Sequence, residues 1–184
     1  MTIDKKKFWP FILTALVIIL DQITKALIVK YIPYGHIGAS FLGELIRIVH
    51  VSNNGVAFSI GYNWPLVLRR LAFGIVPLVV IGLVVVVYFR NNTFNKLQQW
   101  SIAGIIGGGL GNIIDRFFRA EGVVDFIDVK FTLFGMKRWP TFNVADSAVV
   151  VCGILLIISF IIMTVQDEKA KKTSVQAEKD NDNE

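Results

Sequence analysis

Two aspartates, Asp125 and Asp146, stand in apolar sequence with no basic residue at helical spacing to neutralise them. Two carboxylates brought close together away from water cannot both ionise cheaply, so they share one proton. The ionised member can activate a water while the protonated member polarises a carbonyl, which is the chemistry of an aspartyl peptidase. Other polar residues have local partners. Asp21 and Lys25 are four residues apart, as are Asn112 and Arg116, and Asp115 follows Asn112 by three. At these spacings side chains share a helix face. They read as pairs that neutralise one another, pin helices together and position the two aspartates. Asp128 lies on the opposite strand parity from Asp125 and reads as a solvated partner of Lys130.

Helices that cross a membrane must carry most of these residues. A crossing helix needs about 20 mostly apolar residues, each adding about 1.5 Å across a core of about 30 Å. Four runs qualify: 8–29, 71–89, 97–114 and 143–165. Serial spans alternate in direction, so the end of the first, the start of the second, the end of the third and the start of the fourth share one face. Asp21, Lys25, Asn112, Asp115, Arg116, Asn143 and Asp146 all fall there. The connections 31–70 and 119–140, which hold Asn53 and Asp125, emerge on the same side. Ionisable groups within a bilayer are costly and mark a functional region.

The two long connections have β character. The β-prone runs 45–52 and 56–60 flank Asn53-Asn54-Gly55, which predicts a hairpin. Ile127, Val129, Phe131 and Leu133 alternate with Asp128, Lys130 and Thr132, which predicts a half-buried strand. Extended back to residue 125, that strand turns Asp125 inward and Asp128 outward. Gly104, Gly107, Gly108, Gly109 and Gly111 crowd the third run and predict close helix packing. A backbone thinned beside a substrate path is the alternative. Residues 1–165 are expected to form one domain, and 166–184, charged and poor in apolar residues, a disordered tail.

Composition agrees with a membrane chain and excludes other classes. Of 184 residues, 54% are hydrophobic and 18% charged, too little polar surface for a soluble domain of this size. The net charge of +5 is scattered along the chain, so it suits anionic lipid and excludes a nucleic-acid stripe. One cysteine, Cys152, rules out an intrachain disulfide and reads as a small buried apolar residue. Together with His36 and His50 it supplies too few ligands for zinc, and no metal or other cofactor is expected. Lys5, Lys6 and Lys7 precede the first run without a convincing small-x-small cleavage site after it, so that run is expected as a retained span.

Five motifs carry a family resemblance: Asp21-Gln22-Ile23-Thr24-Lys25, Asn53-Asn54-Gly55-Val56-Ala57-Phe58-Ser59, Gly107-Gly108-Gly109-Leu110-Gly111-Asn112-Ile113-Ile114-Asp115-Arg116, Val123-Val124-Asp125-Phe126 and Phe142-Asn143-Val144-Ala145-Asp146-Ser147. In this order and spacing the chain resembles lipoprotein signal peptidase (signal peptidase II) over residues 8–165. The resemblance implies an endopeptidase of the bacterial inner membrane. Its substrates are prolipoproteins, cut just before a diacylglyceryl-modified cysteine near the outer leaflet. It implies Asp125 and Asp146 as the catalytic pair, and Asp21, Lys25, Asn53, Gly55, Asn112, Asp115, Arg116 and Asn143 as their supporting or substrate-binding shell. It implies inhibition by the cyclic lipopeptide globomycin. The expected fold is thus an all-α integral membrane protein of four transmembrane helices, with a small β-rich extramembrane subdomain on the outer face. A monomer with both termini in the cytoplasm is expected.

Charge bias alone does not orient the chain, because Lys and Arg divide about evenly between the faces, although Lys5–Lys7 favour a cytoplasmic N-terminus. Two other functions compete. A small proton-coupled transporter would use intramembrane carboxylates, but its relay should reach both faces. A non-enzymatic lipid-binding subunit would use Arg69, Arg70 and Arg116 on phosphates, and leaves Asp125 and Asp146 unexplained.

Overall fold

The computed structural model describes residues 4–53, 64–131 and 137–181, with the side chains of residue 66 and residues 174–181 left aside. The elements are α1 (Phe11–Tyr31), β1 (Ile37–Phe41), β2 (Ile46–Asn53), α2 (Leu66–Arg70), α3 (Val76–Arg90), α4 (Lys96–Phe118), β3 (Val123–Val129) and α5 (Val144–Asn181). A π-turn, Leu71–Ile75, joins α2 to α3. Gly55 and the second arm of the expected hairpin lie outside the described residues.

Among the described residues three helices are long and apolar enough to cross a membrane: Lys5–Tyr31, Val67–Arg90 and Val144–Thr173. Their outward faces carry exposed Leu16, Ile19, Val79, Leu83, Ile157 and Ile161, which suit lipid rather than water. The third expected span forms α4, 23 residues long, but its glycines and polar residues make it less apolar than the others. The reason lies in its neighbours. α4 is the central helix, packed chiefly against α5 and α1, and most of its residues from Gln98 to Gly111 are buried by protein.

The glycines make that packing close. A Cβ on Gly107 would stand 3.0 Å from the Thr14 Cα and carbonyl oxygen of α1, and one on Gly108 would collide with the Ala145 carbonyl of α5. One on Gly111 would stand 2.8 Å from Asp21 Oδ2. Helix packing therefore accounts for these positions, as small residues allow between membrane helices. At the other end, Lys7 does more than flank a span. Its Nζ donates to Phe89 O, Asn91 O and Asn92 Oδ1 at 2.7–3.0 Å, closing the C-terminus of α3.

The sheet is antiparallel in the order β1-β2-β3. The strand expected in 119–140 starts earlier than its clearest alternation, at Val123, and Val51 faces Asp125 across the β2–β3 pair. A disordered tail is expected from residue 166, and the described part of that segment, 166–181, is helical. α5 continues as helix to Asn181. No glycine or proline interrupts 166–181, and Ala, Lys, Glu and Gln favour helix.

Candidate active site

The site forms where α1, α4, β3 and the start of α5 converge. Lys25 is its electrostatic hub. The Nζ has three protons and three acceptors: Asp21 Oδ2 at 2.8 Å, Asp115 Oδ2 at 2.8 Å and Asn112 Oδ1 at 2.9 Å. Asp21, Lys25 and Asp115 have no side-chain exposure. Arg119 Nε donates to Asp115 Oδ1 at 2.9 Å and completes a charge-balanced group of two cations and two anions. The anions also fix backbone: Ala145 N–H donates to Asp21 Oδ1 at 3.0 Å, and Val124 N–H to Asp115 Oδ2 at 3.3 Å. One network thus ties α5 to α1 and β3 to α4.

Phe142 then delivers Asn143 to β3. Its N–H donates to Ile127 O at 3.0 Å and its carbonyl accepts from Ile127 N–H at 2.8 Å. Asn143 follows at once and caps α5. Its Oδ1 accepts from Asp146 N–H at 2.9 Å, while Asp146 Oδ2 accepts from Asn143 N–H at 3.2 Å. This reciprocal arrangement is a capping box with Asp in the third position. Asn143 Nδ2 meanwhile donates to Asp125 Oδ1 at 2.7 Å and to Asn112 Oδ1 at 3.0 Å. A single asparagine therefore holds both aspartates. Asn112 Nδ2 adds a bond of 2.8 Å to Asp146 Oδ1, and the Asn53 side chain hydrogen-bonds Asp125.

Asp125 is 3% exposed. Burial first, and then the neighbouring Asp146 charge, push its carboxyl up to about 7. It faces inward, as its parity predicts. Asp128 does not behave as its parity predicts. It is 4% exposed and bound by Arg47 and Arg138, with Arg47 Nε at 2.8 Å and Arg138 Nε at 2.7 Å, rather than solvated beside Lys130. These arginines hold its carboxyl below the usual carboxylate range. Arg47 lies across the β2–β3 register and Arg138 on the returning loop, so neither was adjacent in sequence.

The expected residues Asp21, Lys25, Asn53, Asn112, Asp115, Asp125, Asn143 and Asp146 thus meet in one connected group. Arg116 lies within electrostatic reach of Asp115, Asp125 and Asp146 and stacks 5.4 Å over the Phe73 ring. Two members escaped the sequence reading. Arg119 follows Asp115 at i,i+4, a spacing that signals the pair. Gln22, inside a quoted motif, donates to Gly111 O, Asp115 Oδ1 and Asp21 Oδ2 at 3.1–3.2 Å. Among the described residues no cluster of His, Cys, Asp and Glu has metal-site geometry.

Fold and site together define a multi-span membrane protein with a buried carboxylate centre at one end of its helices. The family model of signal peptidase II matches residues 13–162. The lipoprotein signal peptidase of Treponema pallidum (strain Nichols) is 53% identical over 160 residues, covering 86% of each chain. That of Treponema denticola is 44% identical over 170 residues, covering 91% of this chain and 98% of the relative. A solved structure described as a bacterial membrane enzyme at 2.3 Å superposes with TM-score 0.71 at 30% identity, covering 84% of this chain and 88% of the other. The chain belongs to the signal peptidase II family of peptidases.

Proposed function

We propose that this protein is an aspartyl endopeptidase of the bacterial inner membrane that removes signal peptides from prolipoproteins, cutting just before the diacylglyceryl-modified cysteine. The observation that carries the reading is the bridging of Asp125 and Asp146 by Asn143, which hydrogen-bonds both carboxylates at 2.7 and 3.2 Å. Asp125, buried and raised to about 7, holds the shared proton. Asp146 accepts two N–H donors at the N-terminal end of α5, an arrangement that stabilises negative charge. Asp146 takes a proton from water as it attacks the scissile carbonyl carbon, and Asp125 gives its proton to the carbonyl oxygen. Collapse of the tetrahedral intermediate returns one hydroxyl proton to Asp125, while Asp146 protonates the leaving amine. Asp21, Lys25, Asn53, Gly55, Asn112, Asp115, Arg116 and Asn143 position the pair or the substrate.

In this reading residues 1–165 form one four-span domain, with α4 as the third span. The loops 31–70 and 119–140 face outward, the site lies near the outer leaflet, and both termini are cytoplasmic. The protein works as a monomer, and globomycin occupies the substrate groove. The relatives named above as lipoprotein signal peptidases support the substrate assignment. The test uses purified full-length protein and a lipidated precursor. Asn matches Asp in shape but lacks its base, so Asp125→Asn and Asp146→Asn should each abolish cleavage while retaining precursor binding. Turnover by either variant sinks the mechanism. Failure of globomycin to compete with precursor sinks the shared groove.

A further inference from the structure

One end of the sheet gathers apolar side chains that no described residue covers. Leu42 stands at the apex of the β1–β2 turn, 76% exposed and with φ at +52°, a left-handed conformation that a leucine adopts at a cost. Phe41 and Leu45 flank it. β3 leaves the sheet beside this turn, where Lys130 N–H donates to Leu45 O at 2.7 Å. The next residue, Phe131, packs edge-on against Trp139 with centroids 6.2 Å apart. Trp139 N–H in turn donates to Val129 O at 2.9 Å. These five residues form one continuous tip, each at least 43% exposed.

The tip has a defined shape and depth. Arg47 and Arg138 clamp Asp128 beneath it, and Arg138 Nη2 reaches Glu44 O in the turn at 3.1 Å. Trp139 also walls a groove of about 380 Å³ with Phe142, Asp146, Ser147, Val150 and Val151. Val150 and Val151 are 59% and 55% exposed on the outward face of α5, a span. Trp139 therefore lies beside the first turns of α5, and the tip adjoins the exposed apolar face of that helix through Trp139. Exposed Lys130 and Lys137 border it.

We propose that this tip is a membrane-docking surface. Leu42, Phe131 and Trp139 enter the interfacial layer of the leaflet at the site end of the helices, where aromatic side chains concentrate. Lys130 and Lys137 meet the headgroups of anionic phospholipids. The sheet then lies along the bilayer instead of projecting from it, and Asp125 is held at the depth of Asp146. The docking requires the membrane spans but no peptidase chemistry.

The test retains Trp139 as the sole tryptophan through Trp9→Phe, Trp64→Phe and Trp100→Phe. The full chain is reconstituted in vesicles of phosphatidylcholine and phosphatidylglycerol. Phosphatidylcholine brominated near the glycerol end of its chains should cause a large loss of Trp139 emission, chain-terminal bromines a small one, and iodide little. Strong quenching by iodide with none from bromolipid overturns the proposal, and stronger quenching by terminal than by shallow bromines overturns the depth. A second variant guards against a folding defect in the first. Leu42→Cys, in a Cys152→Ala background and carrying a polarity-sensitive dye, should show blue-shifted emission in the same vesicles, and water-like emission overturns docking. Replacing Lys130 and Lys137 with Gln should remove any added blue shift that phosphatidylglycerol gives over phosphatidylcholine alone. An unchanged difference overturns the headgroup contact.

Discussion

Lys25 on α1 and Asp115 on α4, ninety positions later, form an ion pair of 2.8 Å in which neither side chain has any exposure. A buried charge survives only when its partners are complete, and Lys25 has three for its three protons. Lys25→Met keeps the volume but removes the cation shared by Asp21 and Asp115, leaving Gln22 to donate to both and Arg119 to pair with Asp115. We expect a loss of about 3–5 kcal/mol, the range for breaking a buried pair from one side. Thermal unfolding in detergent measures it. A Tm within experimental error of the parent would show that the network does not hold the helices.

Asn143 is expected to be the most sensitive of the polar residues around the pair, because its side chain donates to Asp125 Oδ1 and accepts from Asp146 N–H. Asn143→Ala should lower kcat by about 100-fold, the scale for a catalytic group displaced by about 1 Å, with KM little changed. Asn112→Ala removes only the Asp146 contact of the two and should retain more activity. Steady-state cleavage of a lipidated precursor orders the two variants, and the reverse order would move the positioning role to Asn112.

Turnover should fall as pH rises through about 7, because Asp125 then loses the proton that polarises the carbonyl. Stability shares the same window. Between the ordinary carboxylate range and about 7, the folded protein holds a proton on Asp125 that the unfolded chain has released. Folding therefore binds protons there, and stability falls as pH rises to about 7 and then levels. Asp125→Asn removes that dependence. It should exceed the parent in stability above pH 7 by about 1 kcal/mol or more, and show little gain near pH 4. Parallel melting curves at the two pH values decide the matter.

Gly111→Ala should be destabilising where Gly82→Ala is not. A Cβ at position 111 meets Asp21 Oδ2 at 2.8 Å and the Ala145 Cβ at 3.2 Å, whereas one at 82 meets nothing within 4 Å. Overpacking of this kind costs about 1–3 kcal/mol. Because Asp21 Oδ1 also holds Ala145 N–H, the displaced aspartate should carry the start of α5 with it and reduce cleavage. Melting and activity of the two alanine variants provide the comparison.

The sequence by itself determined the chain's class and which residues share a face. Apolar runs long enough to cross a bilayer are local facts, and reading four of them as serial spans groups Asp21, Asn112, Asp115, Asn143 and Asp146. Inward parity for Asp125 is likewise a two-residue periodicity readable in isolation. Partnership was another matter. Sequence proximity assigns Asp128 to its near neighbour Lys130, yet its arginines come from β2 and from the loop before α5. Sequence groups Asn143 with the other polar residues, but its bridging of two aspartates depends on the Phe142–Ile127 pairing that seats it against β3. Hydrogen bonds are decided within a few ångströms, and only the tertiary structure brings residues so far apart in sequence that close.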